Sequence, residues 1–306
     1  MVRLGTYSIV ARDAETGEFG VGVQSHWFSV GPLVPWARPG VGAVATQANV
    51  EVSYGPHALD LLAGGASAEE ALSRLTAADA EAPTRQVAIV DARGGVAAHT
   101  GELCIASAGH VVAAGVSCQG NMLASERVWP AMLETFADTG GPLATRLLEA
   151  LDAAERAGGD ARGRQSAALL VVPAEGEPWR ALVSLRVEDH PAPLVELRRL
   201  LQLHNAYALA DEADGLAGQG RHSEAARRYR QASELAPGNQ ELRFWAGLGV
   251  AQGDLEAGVA TVREVIEAEP RWCELLVRLP AEMAPQAAEV ARRLGLQPPD
   301  RSAPRG

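Results

Sequence analysis

The strongest constraint on how this chain folds is a change of pattern at Asp189-His190-Pro191. Before it, short apolar runs alternate with turn residues. After it, only helical periodicity remains. A chain that leaves a strand-rich pattern and does not return to it builds two domains rather than one mixed core. Its 306 residues also exceed one ordinary core. The expected division is a first domain at 1–190, a helical domain at 191–296 and a disordered tail at 297–306.

In the first part, strands are expected at Tyr7–Ala11, Phe19–Gln24 and Val41–Gln47. Pro32, Pro35 and Pro39 restrict any strand between the last two to a short edge piece. Two helices follow, Tyr54–Ala63 and one capped by Ser67 with Glu70 three residues on. Further strands are expected at Arg85–Val90, Gly95–His99, Leu103–Ala108 and His110–Gln119. Helices then fit Ser125–Phe136 and Pro142–Ala157, before strands at Gln165–Val172 and Trp179–Arg186. Clustered strands with paired helices indicate antiparallel sheets covered by helix layers, an α+β fold.

The second part repeats itself. Gly220-Arg221-His222-Ser223-Glu224-Ala225 recurs as Gly253-Asp254-Leu255-Glu256-Ala257, and Leu235-Ala236-Pro237 recurs near Ala268-Glu269-Pro270. Both the glycines and the prolines lie 33 residues apart, against a tetratricopeptide (TPR) period of ~34. A TPR-like pair of helical repeats is therefore expected, docking a protein partner, packing on the first domain or building a homodimer.

Composition removes several function classes. The net charge is −11, the wrong sign for a nucleic-acid face. No apolar run is long enough to span a membrane, and the N-terminus lacks a signal-peptide core, so a cytoplasmic protein is expected. All 27 basic residues are arginine, which rules out a lysine base, Schiff base or phosphate anchor. Cys104, Cys118 and Cys273 fit neither a disulfide framework nor a zinc site. The scattered histidines argue for no metal and no cofactor; a metal hydrolase using His26, His99 and Asp160 is the weakest of the readings.

What stands out is a set of polar residues at the ends of glycine-rich strands. Thr6 and Ser8 share a strand face, Ser25-His26 and Thr46-Gln47 end strands, and His99-Thr100, Gln119-Gly120-Asn121 and Asp160-Ala161-Arg162 lie at later element ends. They converge on one cleft only if the fold brings those ends together.

Thr6–Asp13, Val34–Ala37, Gly40–Gln47 and Ser53–Gly55, with Ala98–Gly101, Gln119–Leu123, Gly159–Ala167 and Leu185–His190, resemble the bacterial and archaeal family of unknown function numbered 1028. The resemblance covers about Thr6 to Leu200. It implies an N-terminal-nucleophile (Ntn) hydrolase-like four-layer αββα sandwich. Some members carry a peptidoglycan-binding domain, a link to cell-wall metabolism; here TPR-like helices stand in its place.

On that resemblance, Thr6 is the expected nucleophile once the Gly5–Thr6 bond is cut, its freed α-amino group serving as base. Ser8 and His26 are expected to orient it, with Ser25, Gln47, His99, Asn121, Asp160 and Arg162 binding a small amide substrate. Gln47 or Asn121 would donate to the oxyanion and Arg162 would clamp a carboxylate. The rival expectation is a non-catalytic binding or scaffold protein on the same shell, since five residues precede Thr6.

Overall fold

Short strands separated by turns shape the first of two compact units, which meet between Arg199 and Leu200. The computed structural model describes residues 3–297, so the expected tail lies outside the described residues beyond Gln297. The unit opens with β1 (Arg3–Leu4), then β2 (Thr6–Arg12) and β3 (Phe19–Ser25), an antiparallel hairpin. Its turn forms because Asp13 Oδ1 accepts from the backbone N–H groups of Glu15 and Thr16, both at 2.9 Å. β4 (Pro35–Arg38) pairs with β5 (Gly42–Asn49) alone, as prolines require. Then come α1 (Tyr54–Ala63) and α2 (Ala68–Ala77), the latter with both bonds of its Ser67/Glu70 capping box formed. The order continues β6 (Arg85–Asp91), β7 (Val96–Thr100), β8 (Gly109–Ala113), β9 (Val116–Asn121), α3 (Val128–Asp138), α4 (Leu143–Arg156), β10 (Ser166–Val172) and β11 (Val183–Val187).

Three strand expectations need correction. Leu103–Ala108 is not a strand, and the apolar run His110–Gln119 is not one strand but the β8–β9 hairpin, reversed at Ala114-Gly115, where Gly115 takes φ 70°. The small and apolar residues Val111-Val112-Ala113-Ala114-Gly115-Val116 run through the reversal and mask that break. The last strand starts at Val183 rather than Trp179, whose side chain is exposed.

All pairings are antiparallel, giving an α+β unit with two sheets. One has the order β1-β5-β6-β7 with β4 also on β5; the other runs β11-β10-β3-β2-β9-β8. Val10, Val21, Val23 and Ala168 of the second sheet pack with Ala43, Ala45, Ala88 and Val90 of the first. Each buried valine there contributes ~1.5–3 kcal/mol. Behind the first sheet, Val44, Val87 and Ile89 pack under Leu59, Leu62 and Leu72 of α1 and α2. Behind the second, α4 lies so close that a Cβ on Gly20 would sit 2.5 Å from Leu147 Cδ1. That approach accounts for the Val/Gly alternation of β3.

The second unit is helical: α5 (Pro193–Gly218), which begins before the division, α6 (His222–Leu235), α7 (Gln240–Val250), α8 (Leu255–Ala268), α9 (Trp272–Leu276) and α10 (Ala287–Arg293). α6 and α8 start and stop 33 residues apart, in phase with the sequence repeat. Among the described residues no helix is long and apolar enough to cross a membrane. Small residues set the helix contacts: a Cβ on Gly258 would stand 2.5 Å from Ala251 Cβ and 2.6 Å from its Cα. Gly258→Ala should therefore cost about 1–3 kcal/mol through overpacking, despite a helix-propensity gain of about 1 kcal/mol. A lower denaturant midpoint checks this; an unchanged or higher one contradicts the crowding.

Candidate active site

One end of the inter-sheet layer is polar. Alternation along β2 puts Thr6 and Ser8 on the same face as Val10, and Val10 belongs to the core between the sheets. In the antiparallel register Thr6 stands opposite Ser25 and Asn121, and Ser8 opposite Gln119. Gln47 and Gln86, paired with each other, face them from the first sheet. Asn121 is 2% exposed and the other six side chains are fully buried. Polar groups this deep persist only when hydrogen-bonded.

They are. Ser117 Oγ donates to Gln119 Oε1, Gln119 Nε2 to Ser8 Oγ, and Ser8 Oγ to Gln47 Oε1, each at 2.7 Å. Gln47 Nε2 donates to Gln86 Oε1 at 2.8 Å, which also accepts from Asn121 Nδ2 at 3.0 Å. Gln86 Nε2 in turn donates to the Gly120 carbonyl at 2.8 Å and the Thr100 hydroxyl at 3.0 Å. The amides thus form one directed chain from the second sheet to the first.

The chain of the protein crosses between sheets at Gly5. β1 pairs with β5 in the first sheet through Arg3↔Asn49 and Leu4↔Ala48, while Thr6 opens β2 in the second. The Gly5 carbonyl oxygen accepts from Ser25 Oγ at 2.5 Å and from Arg162 Nη2 at 2.8 Å. Thr6 Oγ1 donates to that same Ser25 Oγ at 3.0 Å. Arg162 is fixed by Asp160, Nε to Oδ1 at 3.1 Å and Nη2 to Oδ2 at 2.8 Å. Asp160, its side chain fully buried, also takes the backbone N–H of Arg162 at 2.9 Å and of His26 at 3.0 Å. The Gly5 carbonyl is thus polarised by a hydroxyl and a guanidinium, and the Thr6 hydroxyl is bonded to that same serine.

Strain gathers here too. Ala48 and Met122, neither a glycine, hold φ of 71° and 54°, a left-handed conformation that clusters at functional sites. Both line a recess of about 20 Å³ shared with Asn49, Cys104, Ile105 and Asn121, room for about one water. Burial pushes the Cys104 thiol up, and full burial does so to Cys118, so neither is a ready thiolate nucleophile. On the far face of β2, Tyr7 donates to Glu155 Oε2 at 2.8 Å; burial first and Glu155 second raise its pKa well above the ordinary value. Glu155 Oε1 then holds Arg164 at 3.1 Å, tying the loop that carries Asp160 and Arg162 to α4.

The structure therefore gathers Thr6, Ser8, Ser25, Gln47, Asn121, Asp160 and Arg162. Ser8 does not touch the Thr6 side chain; its hydroxyl serves Gln47 and Gln119. His26 contributes its backbone N–H, and its ring Nδ1 lies 3.3 Å from the Arg164 carbonyl instead of on Thr6. His99 stands opposite Val87, in the row that faces α1 and α2, and its Nε2 meets the Ala82 carbonyl at 2.9 Å. A period of two sends His99 away from the cluster and its neighbour Thr100 toward it. The histidine that reaches the cluster is His110, whose Nδ1 is 2.8 Å from Thr100 Oγ1. Thr100 is one of the polar strand ends expected from the sequence, whereas Gln86 and His110 were not anticipated; Gln86 shares a row with Ala88 and Val90, and that phase was the available signal. Among the described residues no group of three or more His, Cys, Asp or Glu is placed to hold a metal ion.

Comparison with known proteins adds the following. No curated protein matches the chain. Protein SPO2555 from Silicibacter pomeroyi, a crystal structure assigned to the family model DUF1028, is 36% identical with a TM-score of 0.60, covering 65% of this chain and 85% of its own. Anbu (ancestral beta-subunit) from Yersinia bercovieri aligns at 12% identity with a TM-score of 0.32, over 63% of this chain and 91% of its own, too little to carry an argument. A model described as a family of unknown function (DUF1028) matches residues 6–197. Since that span is well over half the chain and takes in the whole polar layer, the protein belongs to the DUF1028 family.

Proposed function

We propose that this protein is an N-terminal-nucleophile amidohydrolase that frees its own nucleophile by cutting the Gly5–Thr6 bond and then hydrolyses the amide bond of a small substrate. The observation that carries this reading is the Gly5 carbonyl held by Ser25 and Arg162 beside the Thr6 hydroxyl. The order of layers supports it: α1 and α2, two sheets face to face, then α3 and α4 match an Ntn-type αββα sandwich. The in-phase recurrence of α6 in α8 supports a TPR-like second unit in the same way.

In the first reaction Thr6 Oγ1 bonds to the Gly5 carbonyl carbon. Its proton passes to Ser25, which hands its own to the carbonyl oxygen beside Arg162. Collapse breaks the C–N bond, the nitrogen regains that proton, and Gly5 becomes an ester on Thr6. Water then releases the Gly5 carboxylate and restores the hydroxyl. The new α-amino group, with an ordinary pKa of ~7.7–8.0, is partly neutral at pH 7 and serves as base for later substrates. Buried lysine is not required.

Intact mass of the purified protein tests the reading: loss of residues 1–5 supports it. A binding protein on the same shell is the second reading, favoured by the complete burial of Thr6, and full retention of residues 1–5 with inert Thr6 selects it. Asp160 acts here by positioning. Asp160→Asn should slow self-cleavage by about 10–100-fold, because Arg162 loses its charged anchor and the carbonyl a fixed donor. A pulse-labelled time course measures this, and Asp160→Glu should recover part of the rate.

A further inference from the structure

Gly5 carries information about what the mature site accepts. Its φ is not in the left-handed range, so its backbone suits any residue. The space does not. A Cβ there would lie 2.7 Å from Arg162 Nη2, 3.0 Å from Arg162 Nε and 3.0 Å from Asp160 Oδ2. A lone arginine tip would swing aside cheaply, but this one is held by both oxygens of a buried carboxylate. The acyl residue of the bond beside Thr6 must therefore lack a side chain.

The neighbouring surface specifies the rest. Among the described residues, β6 takes one edge of β5 as far as Ala48, and on the other edge β1 alone pairs with Ala48 and Asn49. Once residues 1–5 leave, that end becomes an open sheet edge of unpaired backbone donors and acceptors. Such edges bind extended peptides by strand addition.

Resting on the self-cleaving reading, we infer that the substrate is an extended peptide or peptide-like amide with an unsubstituted glycyl group on the acyl side of the cut bond, seated antiparallel on β5 where β1 now lies. Thr6 Oγ1 bonds to the glycyl carbonyl carbon, and its proton moves through the α-amino group to the leaving nitrogen. The C–N bond breaks and the amine departs. Water then hydrolyses the glycyl ester, releasing a glycyl carboxylate.

The probes are coumarin amides of acetyl-Val-Arg-Leu-Gly, its alanyl and leucyl counterparts in the last position, and acetyl-Gly alone, offered to full-length protein whose mass confirms a free Thr6. The glycyl tetrapeptide should be cleaved with kcat/KM at least ~100-fold above the alanyl one and about 10-fold above acetyl-Gly. Arg162→Ala should slow the glycyl probe and bring the glycyl-to-alanyl ratio near one. Equal cleavage of alanyl or leucyl probes by protein with free Thr6 overturns the substrate class and leaves the self-cleaving reading standing. Cleavage of none of them by such protein also overturns it. Retained residues 1–5, with Thr6→Ala indistinguishable from wild type, overturns the reading itself.

Discussion

Thr6→Ala protein should keep residues 1–5 and lose amide hydrolysis by at least about 10⁴-fold, the scale on which removal of a nucleophile is felt. Thr6→Ser, which preserves the hydroxyl, should retain both cleavage and turnover. The chain offers a clean readout. It contains no lysine, so its α-amino group is its sole primary amine, and amine-reactive labels attach at one place. In wild type the labelled peptide should begin at Thr6; in Thr6→Ala it should begin upstream of Gly5. A Thr6→Ala chain that is shortened to the same point removes Thr6 from the chemistry. The choice of Thr6 rests on geometry: Thr6 Oγ1 donates to Ser25 Oγ, and Ser25 Oγ to the Gly5 carbonyl.

Gln86→Leu should be the most destabilising single change in the polar layer. It takes the side-chain partner from Asn121 Nδ2 and from the Gly120 carbonyl and leaves Gln47 Nε2 only its 3.4 Å contact with the Thr6 carbonyl, a buried polar group costing ~1–3 kcal/mol when left without a partner. A total of about 3–5 kcal/mol lowers the thermal midpoint by ~10–15 °C in a unit of this size. Gln24 supplies the contrast. It is as deeply buried as Gln86, yet neither of its amide atoms has a partner among the described residues. Gln24→Met should leave the midpoint unchanged or raise it, because nothing is orphaned by the loss. A Gln86 variant as stable as wild type would mean that the amide chain does not hold the sheets in register.

The same contrast marks how far the sequence alone was readable. Most of the succession of strands and helices along the chain, the capping box, the paired helices and the 33-residue repeat follow from local chemistry. So did the polar strand ends, because Thr6 and Ser8 announce their shared face by a spacing of two. Facing across sheets is another matter. Register decided that Thr100 and not His99 points inward, and that Gln86, unremarkable in a run of valines and alanines, receives bonds from two other side chains. The β8–β9 turn was hidden because the run Val111–Val116 continues through it in small and apolar residues, and only Gly115 marks the reversal. Long-range pairing, which no window of sequence contains, fixed the rest.

Between the two sheets, then, apolar packing and hydrogen bonding occupy separate territory. Valines and alanines glue one end, while amides and hydroxyls fill the other. A change among the amides is felt as a broken hydrogen bond, a change among the valines as lost packing. Two different kinds of glue thus join the same pair of sheets, one directional and one not.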